Sequence, residues 1–388
     1  MLRFIFFGFA FITFLLQGCE SRSEIHNKYS FQDIDSISYF HSITQQLWLR
    51  VSYNFKLKNH SKRERVKYYA RRYENHTFQL CRICNLAEPY LYHIIEALEH
   101  RNMPSELALL PIVESSFKPY AISNRGACGL WQLSVTTARR FGLKQNFWYD
   151  ERKDVAASTA AALEYLALLF QEFNQDWLLT LAAYNAGEGR IKRAIRYNCK
   201  RGKLIDFWSI KLPKQTQHFV PKLLALANVI NIPNGYGALL SRIENKPYFA
   251  EVYTGVQIDL HLAADLACID TNLLKLLNPG YIRSVTHPNS SSLLLLTMEH
   301  IAMFYKNINR VTYESGKYFV PHIIQVGETL NVLKKQYQAT IIDLMQFNQI
   351  SIDTIISSRK LLIPVQALNY VNVIRVSTLM SYYKLINM

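Results

Sequence analysis

Past its first residues the chain has no apolar run long enough to cross a bilayer, no nucleotide-binding glycine loop and no metal-ligand motif. Cysteine is scarce, with six in 388 residues: Cys19, the pair Cys81 and Cys84, and the scattered Cys128, Cys199 and Cys268. One Cys-x-x-Cys without a second pair or a His pair is a poor zinc site, and no strand–turn–helix context marks it as a redox motif. We read it as structural or incidental, with a disulfide left open for an oxidising compartment. Acidic residues are short as well, 29 Asp and Glu against 44 Lys and Arg, a net charge of +15. Such a balance suits an anionic partner: nucleic acid, an acidic membrane surface or a polyanionic polymer. The excess is concentrated in residues 50–82, which hold ten Lys or Arg and two Glu, with Tyr68, Tyr69 and Tyr73 interleaved. Taken alone that could be a nucleic-acid surface; a solvated helix face is the reading preferred. A hydrophobic fraction of 49% excludes a disordered chain, and the length suits two or three domains.

What the N-terminus contains argues against nucleic acid. Arg3 precedes an apolar run from Phe4 to Leu16, too short to span a membrane, that ends in Leu16-Gln17-Gly18-Cys19. This resembles a bacterial lipoprotein signal box, which implies removal of residues 1–18, lipidation of Cys19 and a polar tether over 19–45. A plain secretory signal with a chance Cys is the alternative, and either one exports the chain. Glu20, not Asp, follows the Cys, which by the enteric sorting rule points to the periplasmic face of the outer membrane.

The chemistry is expected between Met103 and Gly142. An apolar run, Leu107 to Val113, carries one carboxylate, Glu114, at its end; a loop with Pro119, Asn124, Gly126 and Gly129 then leads to Trp131-Gln132. A carboxyl at the end of an apolar helix loses hydration, which raises its pKa towards what a general acid near neutrality requires. A lone Glu so placed is more often a helix-flanking carboxylate. Three motifs in order change that reading: LALLPIVESSFKPYA, GACGLWQL, and Ala183-Tyr184-Asn185-Ala186-Gly187. Together they resemble the catalytic domain of family 1 lytic transglycosylases, nearest in pattern to the membrane-bound D type, which cleave peptidoglycan glycan strands on a goose-type lysozyme fold.

That resemblance implies a mainly α protein: a lysozyme-like helical domain over 90–235, then a small α+β region over 236–312 and a βααβ LysM module over 319–366. A helical extension would occupy 46–89. Helices are expected from Tyr90 to His100, from Ser105 (as N-cap) to Glu114, from Thr136 to Gly142, from Val155 to Phe170, from Trp177 to Tyr184, from Glu188 to Tyr197 and from Thr216 to Ile230 around Pro221. Ile232 to Gly237 looks like a domain exit. Beyond it, Ala250 to Ile258 alternates like a strand, and Leu260 to Ala267 and Leu273 to Asn278 are helix-like, as in a degenerate relative of the following module. That module is carried by a strand at His322 to Val326, Gly327-Glu328-Thr329-Leu330, helices over 331–337 and 340–346, Asn348, and Leu361-Leu362-Ile363-Pro364. LysM modules bind N-acetylglucosamine-containing glycans.

Glycoside cleavage ordinarily takes two carboxylates. Here only Glu114 stands out; Tyr149-Asp150-Glu151-Arg152 and Asp154 read as a surface turn and helix start. The resemblance implies that one suffices: Glu114 protonates the leaving oxygen, then takes the proton of the muramoyl C6 hydroxyl as it closes a 1,6-anhydro ring, an intramolecular attack favoured by entropy. It also implies substrate-positioning roles for Ser115, Gln132, Tyr184, Asn185 and Gln215, with no cofactor and no metal. Trp131 is left between a sugar-stacking ring and a core residue. Cys128 stands where the family has Ala, Ser134-Val135 where it has Met-Pro, Gln215 where it has Glu and Ser358 where it has Gly. The alternatives are a hydrolytic muramidase and a non-catalytic peptidoglycan-binding lipoprotein.

Overall fold

The computed structural model describes residues 46–231, 240, 242–254, 257–287, 293–311, 317–325, 327–348, 350 and 360–366. Cys19, the tether, the 232–237 exit and Ser358 lie outside the described residues. The helical extension expected over 46–89 opens with two helices, α1 (Leu47–Tyr53) and α2 (Glu64–Asn75). They are followed by α3 (Thr77–Asn85) and α4 (Glu88–Glu99), whose Pro89 sits in the first turn, where its missing N–H costs nothing. Leu47, Trp48 and Val51 of α1 are buried in the same core as Leu91, Ile94 and Leu98 of α4. Arg50 clamps that packing from the rim by binding Glu96, Glu99 and Asn245.

The segment before Glu114 is a 3-10 turn, Ser105–Leu109, running into the short α5 (Leu110–Glu114). Ser105 does not cap it. Its hydroxyl donates to the Val51 carbonyl at 2.7 Å, and Pro104 occupies the cap position. Elsewhere the expected helices form with ordinary end chemistry. Ser134 caps α6 (Val135–Arg140), Asp154 caps α7 (Val155–Glu172) and Asp176 caps α8 (Trp177–Ala186), each by accepting first-turn N–H groups. Gly187, at φ 88°, turns the chain into α9 (Glu188–Cys199), and α10 (Lys214–Ile230) carries Pro221 buried within it.

Two βααβ units follow. In the first, β1 (Phe249–Tyr253) pairs antiparallel with β2 (Leu293–Thr297) around α11 (Leu260–Ala267) and α12 (Thr271–Leu277), with α13 (Ile301–Val311) after it. In the second, β3 (Lys317–Ile323) pairs with β4 (Lys360–Gln366) around α14 (Leu330–Tyr337) and α15 (Ile341–Asn348). The strand expected at His322 to Val326 thus lies mostly before it. Through both helix pairs the units match at a constant offset of 70 positions, Leu260 with Leu330 and Asn278 with Asn348. Each first helix ends on a left-handed residue, Cys268 at φ 56° and Gln338 at φ 53°. Asn278 Nδ2 donates to the Leu274 and Leu295 carbonyls while its Oδ1 accepts the Leu295 N–H; Asn348 does the same with Leu344 and Leu362. One amide therefore stitches the second helix to the last strand in each unit.

The last strands are apolar on both faces, which hides their period from the sequence. Leu294 and Leu296 face the first unit's own core, while Leu295 and Leu277 belong to the core of the helical body. Likewise Leu361 and Ile363 fill the second unit, and Leu362 packs with Trp148 and Val285.

Candidate active site

Glu114 ends α5 on the wall of the buried core, behind Leu110, Pro111 and Ile112. Desolvation by these neighbours pushes its carboxyl up from 4.5 to about 8. At neutral pH the group is mostly protonated.

The glycine loop is held against this helix by backbone and side-chain hydrogen bonds. Ser115, nearly buried, donates from Oγ to the Leu130 carbonyl at 2.9 Å and approaches that of Pro111 at 3.1 Å. Gln132, at φ 50°, turns its amide into its own loop, donating to Gly129 at 2.9 Å and Ala121 at 3.1 Å. Trp131 is fully buried, with its indole N–H on Thr159 Oγ1 at 2.9 Å, so it is a core residue. The Trp131 carbonyl accepts the Tyr184 hydroxyl at 2.7 Å, and the Glu114 charge reaches that phenol, helping burial to raise its pKa. Asn185, next on α8, accepts from Thr216 Oγ1 at 2.9 Å. Glu114, Ser115, Gln132 and Tyr184 therefore form one connected group, joined through the loop backbone. Gln215 is exposed beside Thr216 and makes none of these bonds.

The stretch 149–154 is not the surface turn expected. Asp150 and Arg152 are both buried, paired through Arg152 Nε and Nη2 at 3.0 and 2.7 Å. Breaking such a pair by removing one partner typically costs about 3–5 kcal/mol, because a lone charge is left buried. Arg152 Nη1 donates to the Gly126 carbonyl at 2.7 Å, and its own carbonyl lies 2.1 Å from where a Cβ on Gly129 would stand. Only glycine fits there. On its other side the stretch meets the first βααβ unit: the Asp150 N–H donates to the Gly280 carbonyl at 2.8 Å, and Tyr149 packs on Tyr281. Asp154 accepts the Tyr149 hydroxyl as well as capping α7. Both nearby aspartates are thus engaged in holding the loop. Cys128 is buried, as a small core residue there should be, and Cys81 and Cys84 sit on successive turns of α3, where burial pushes the Cys84 thiol up to about 12.

Two families match this chain by sequence: the transglycosylase SLT domain over residues 92–207, and the LysM-like domain of lytic transglycosylase MltD over residues 248–313. The first contains Glu114, the glycine loop and α8. The second coincides with the first βααβ unit, the region read from sequence as a degenerate relative of the module that follows, and the second unit, which carries the Val-Gly-Glu-Thr-Leu motif, repeats its order. Membrane-bound lytic murein transglycosylase D of Escherichia coli (strain K12) is 35% identical over 297 residues, 74% of this chain and 66% of the relative. A putative tributyltin chloride resistance protein of Alteromonas sp. (strain M-1) is 41% identical over 156 residues, 40% of this chain and 75% of that one. A solved lytic transglycosylase Slt from Pseudomonas aeruginosa, an inactive mutant, aligns at 23% identity and a TM-score of 0.28 over 39% of this chain and 25% of its own. The chain belongs to the SLT-domain lytic transglycosylases. Within that family it is of the membrane-bound murein transglycosylase D type, and it spans about two thirds (66%) of that relative's length.

Proposed function

We propose that this chain cleaves the β-1,4 bond between N-acetylmuramic acid and N-acetylglucosamine in peptidoglycan and leaves 1,6-anhydromuramic ends. The observation that carries the proposal is the setting of Glu114: a desolvated carboxyl held protonated near neutrality, with Asp150 and Asp154, the aspartates that follow it in sequence, engaged with Arg152 and Tyr149. A protonated carboxyl can give its proton to the leaving glycosidic oxygen. The carboxylate so formed, in the same apolar wall, is then a strong enough base to take the proton of the C6 hydroxyl. No second carboxylate is needed to activate water when the nucleophile belongs to the substrate. Tyr184 and Ser115 hold the loop beside the acid and Gln132 shapes it, while Asn185 and the exposed Gln215 would contact the glycan. The βααβ units add glycan affinity and raise the local concentration of catalyst along the strand. The anchor at Cys19 and an outer-membrane location belong to the same proposal.

The test is digestion of purified sacculi by residues 20–388, with mass spectrometry of the released muropeptides. We expect anhydro ends, with release reduced by about 10²–10⁴-fold in Glu114→Gln, the range of a lost general acid. Reducing ends heavier by one water would make the protein a muramidase. Binding without release by the unaltered protein would make it a glycan-binding lipoprotein.

A further inference from the structure

The cationic segment noted in the sequence forms one side of an open groove of about 760 Å³, lined by Glu64, Arg65, Lys67, Tyr68, Arg71, Arg72, Asn75, His76 and His218, with neither Glu114 nor its loop among them. α2 is amphipathic: Val66 is buried and Tyr69, Ala70 and Tyr73 pack against the core, while Arg65, Lys67, Tyr68, Arg71 and Arg72 are exposed. The one carboxylate in the lining, Glu64, is already paired with Lys67 at 2.9 Å. Among the described residues no ion pair engages Arg65, Arg71 or Arg72, and Arg65 reaches only the neutral Gln217. Across the groove His218 keeps a buried Nδ1 without a hydrogen-bond partner. Burial first, and then the nearby Arg65, Lys222 and Lys214, lower the pKa of its imidazole.

Two exposed aromatic side chains belong to this segment: Tyr68 on α2, which meets Tyr69 edge-on with ring centroids 5.0 Å apart, and Phe78 in the first turn of α3. Tyr68 is 57% exposed, and Phe78, two residues past the groove-lining His76, is 86% exposed. A dissolved polyanion would give such a phenylalanine nothing to bury in. Cations beside bare aromatic rings are the chemistry of a peripheral membrane contact, where the cations meet lipid phosphates and the ring enters the headgroup–acyl boundary.

We infer that α2 and the start of α3 form a docking surface for the anionic headgroups of a bilayer. Arg65, Arg71 and Arg72 supply the charge and Phe78 the apolar contact. The surface is separate from the glycan site and independent of any lipid anchor.

The test is co-sedimentation of residues 20–388, which contain the whole compact unit 46–388, with extruded vesicles of phosphatidylethanolamine and phosphatidylcholine, with and without phosphatidylglycerol. Binding should require phosphatidylglycerol and fall as salt screens it. Each arginine near such a surface contributes roughly fivefold in partitioning, so Arg65→Gln/Arg71→Gln/Arg72→Gln should lose about a hundredfold. Phe78→Ala, which leaves the charge unchanged, should lose roughly tenfold. All four side chains are exposed, so circular dichroism and sacculus digestion should stay as in the unaltered protein. Equal binding to both vesicle types, or full binding by the triple variant, overturns the inference. So does a triple variant that binds vesicles normally but releases sacculi, because the partner would then be the wall polymer.

Discussion

The two βααβ units share strand order, an eight-residue first helix, the left-handed stop after it and the asparagine that ties the second helix to the last strand. They differ in what their outer face meets. The first gives Leu277 and Leu295 to the core of the helical body, and its Gly280 accepts from Asp150 in the stretch that braces the glycine loop. Gly280 sits so close to Tyr149 that a Cβ there would fall 2.4 Å from the ring. The second keeps its own core and reaches outward through Leu362, onto Trp148 and Val285. A shared secondary-structure order therefore does not mean a shared role. The first unit shares the core of the helical body, and the second is added to it.

The comparison breaks most visibly under truncation. A chain ending after residue 313 should stay soluble and folded and still cleave sacculi, with weaker retention on them. A chain ending before residue 248 should be insoluble or molten, because the apolar surface that Leu277 and Leu295 cover would be left bare. Size-exclusion chromatography and near-ultraviolet dichroism read both outcomes; two well-folded products would mean that the first unit is merely tethered.

Next in size is a matched pair, Asn278→Ala and Asn348→Ala. Each removes three hydrogen bonds and orphans backbone groups of the last strand, for about 3 kcal/mol. If the first unit unfolds with the body, Asn278→Ala lowers the main calorimetric transition. Asn348→Ala should loosen only the second unit, seen as faster amide exchange over residues 330–366 with the main transition unmoved. Equal shifts of the main transition would erase the distinction.

The smallest effect sharpens it by pH. Glu114 is raised in the fold from 4.5 to about 8, so between those values the native state holds a proton that the unfolded chain has released. Stability from this group is highest below about pH 4.5 and is lost as pH rises towards about 8. Glu114→Gln should therefore stabilise the main transition by a margin that grows over that window to about 2 kcal/mol, a figure reduced for partial hydration. The second unit should show no change, and a gain that shrinks as pH rises would refute the assignment.

Much of this was legible in the sequence because local signals and packing agree. Glu114 closes an apolar run, Gly187 sits where α8 must stop, and Asp154 precedes an alanine-rich helix it caps. The stretch 149–154 was misread because charge and polarity were taken as surface. Asp150 and Arg152 neutralise each other inside, so two ionised residues in a row of polar ones are core. Apart from that misreading, the loop hydrogen bonds of Gln132 and Ser115, which accompany the positioning roles expected of them, are invisible without knowing where the loop folds back. β2 went unread because Leu293–Thr297 has no alternation, being covered on both faces. Ser134, in place of a family Met, takes up a local task as the cap of α6.

The constant offset between the units also has a history in it. A spacing of 70 positions kept through two helices and a shared asparagine stitch is what a segment copied in tandem would leave. After the copying, the inner copy's leucines were absorbed into a neighbour's interior, so its loss by recombination would be lethal to the fold. The outer copy carries no such debt. Gain and loss of repeats in descendants of this gene should therefore proceed from the C-terminal side.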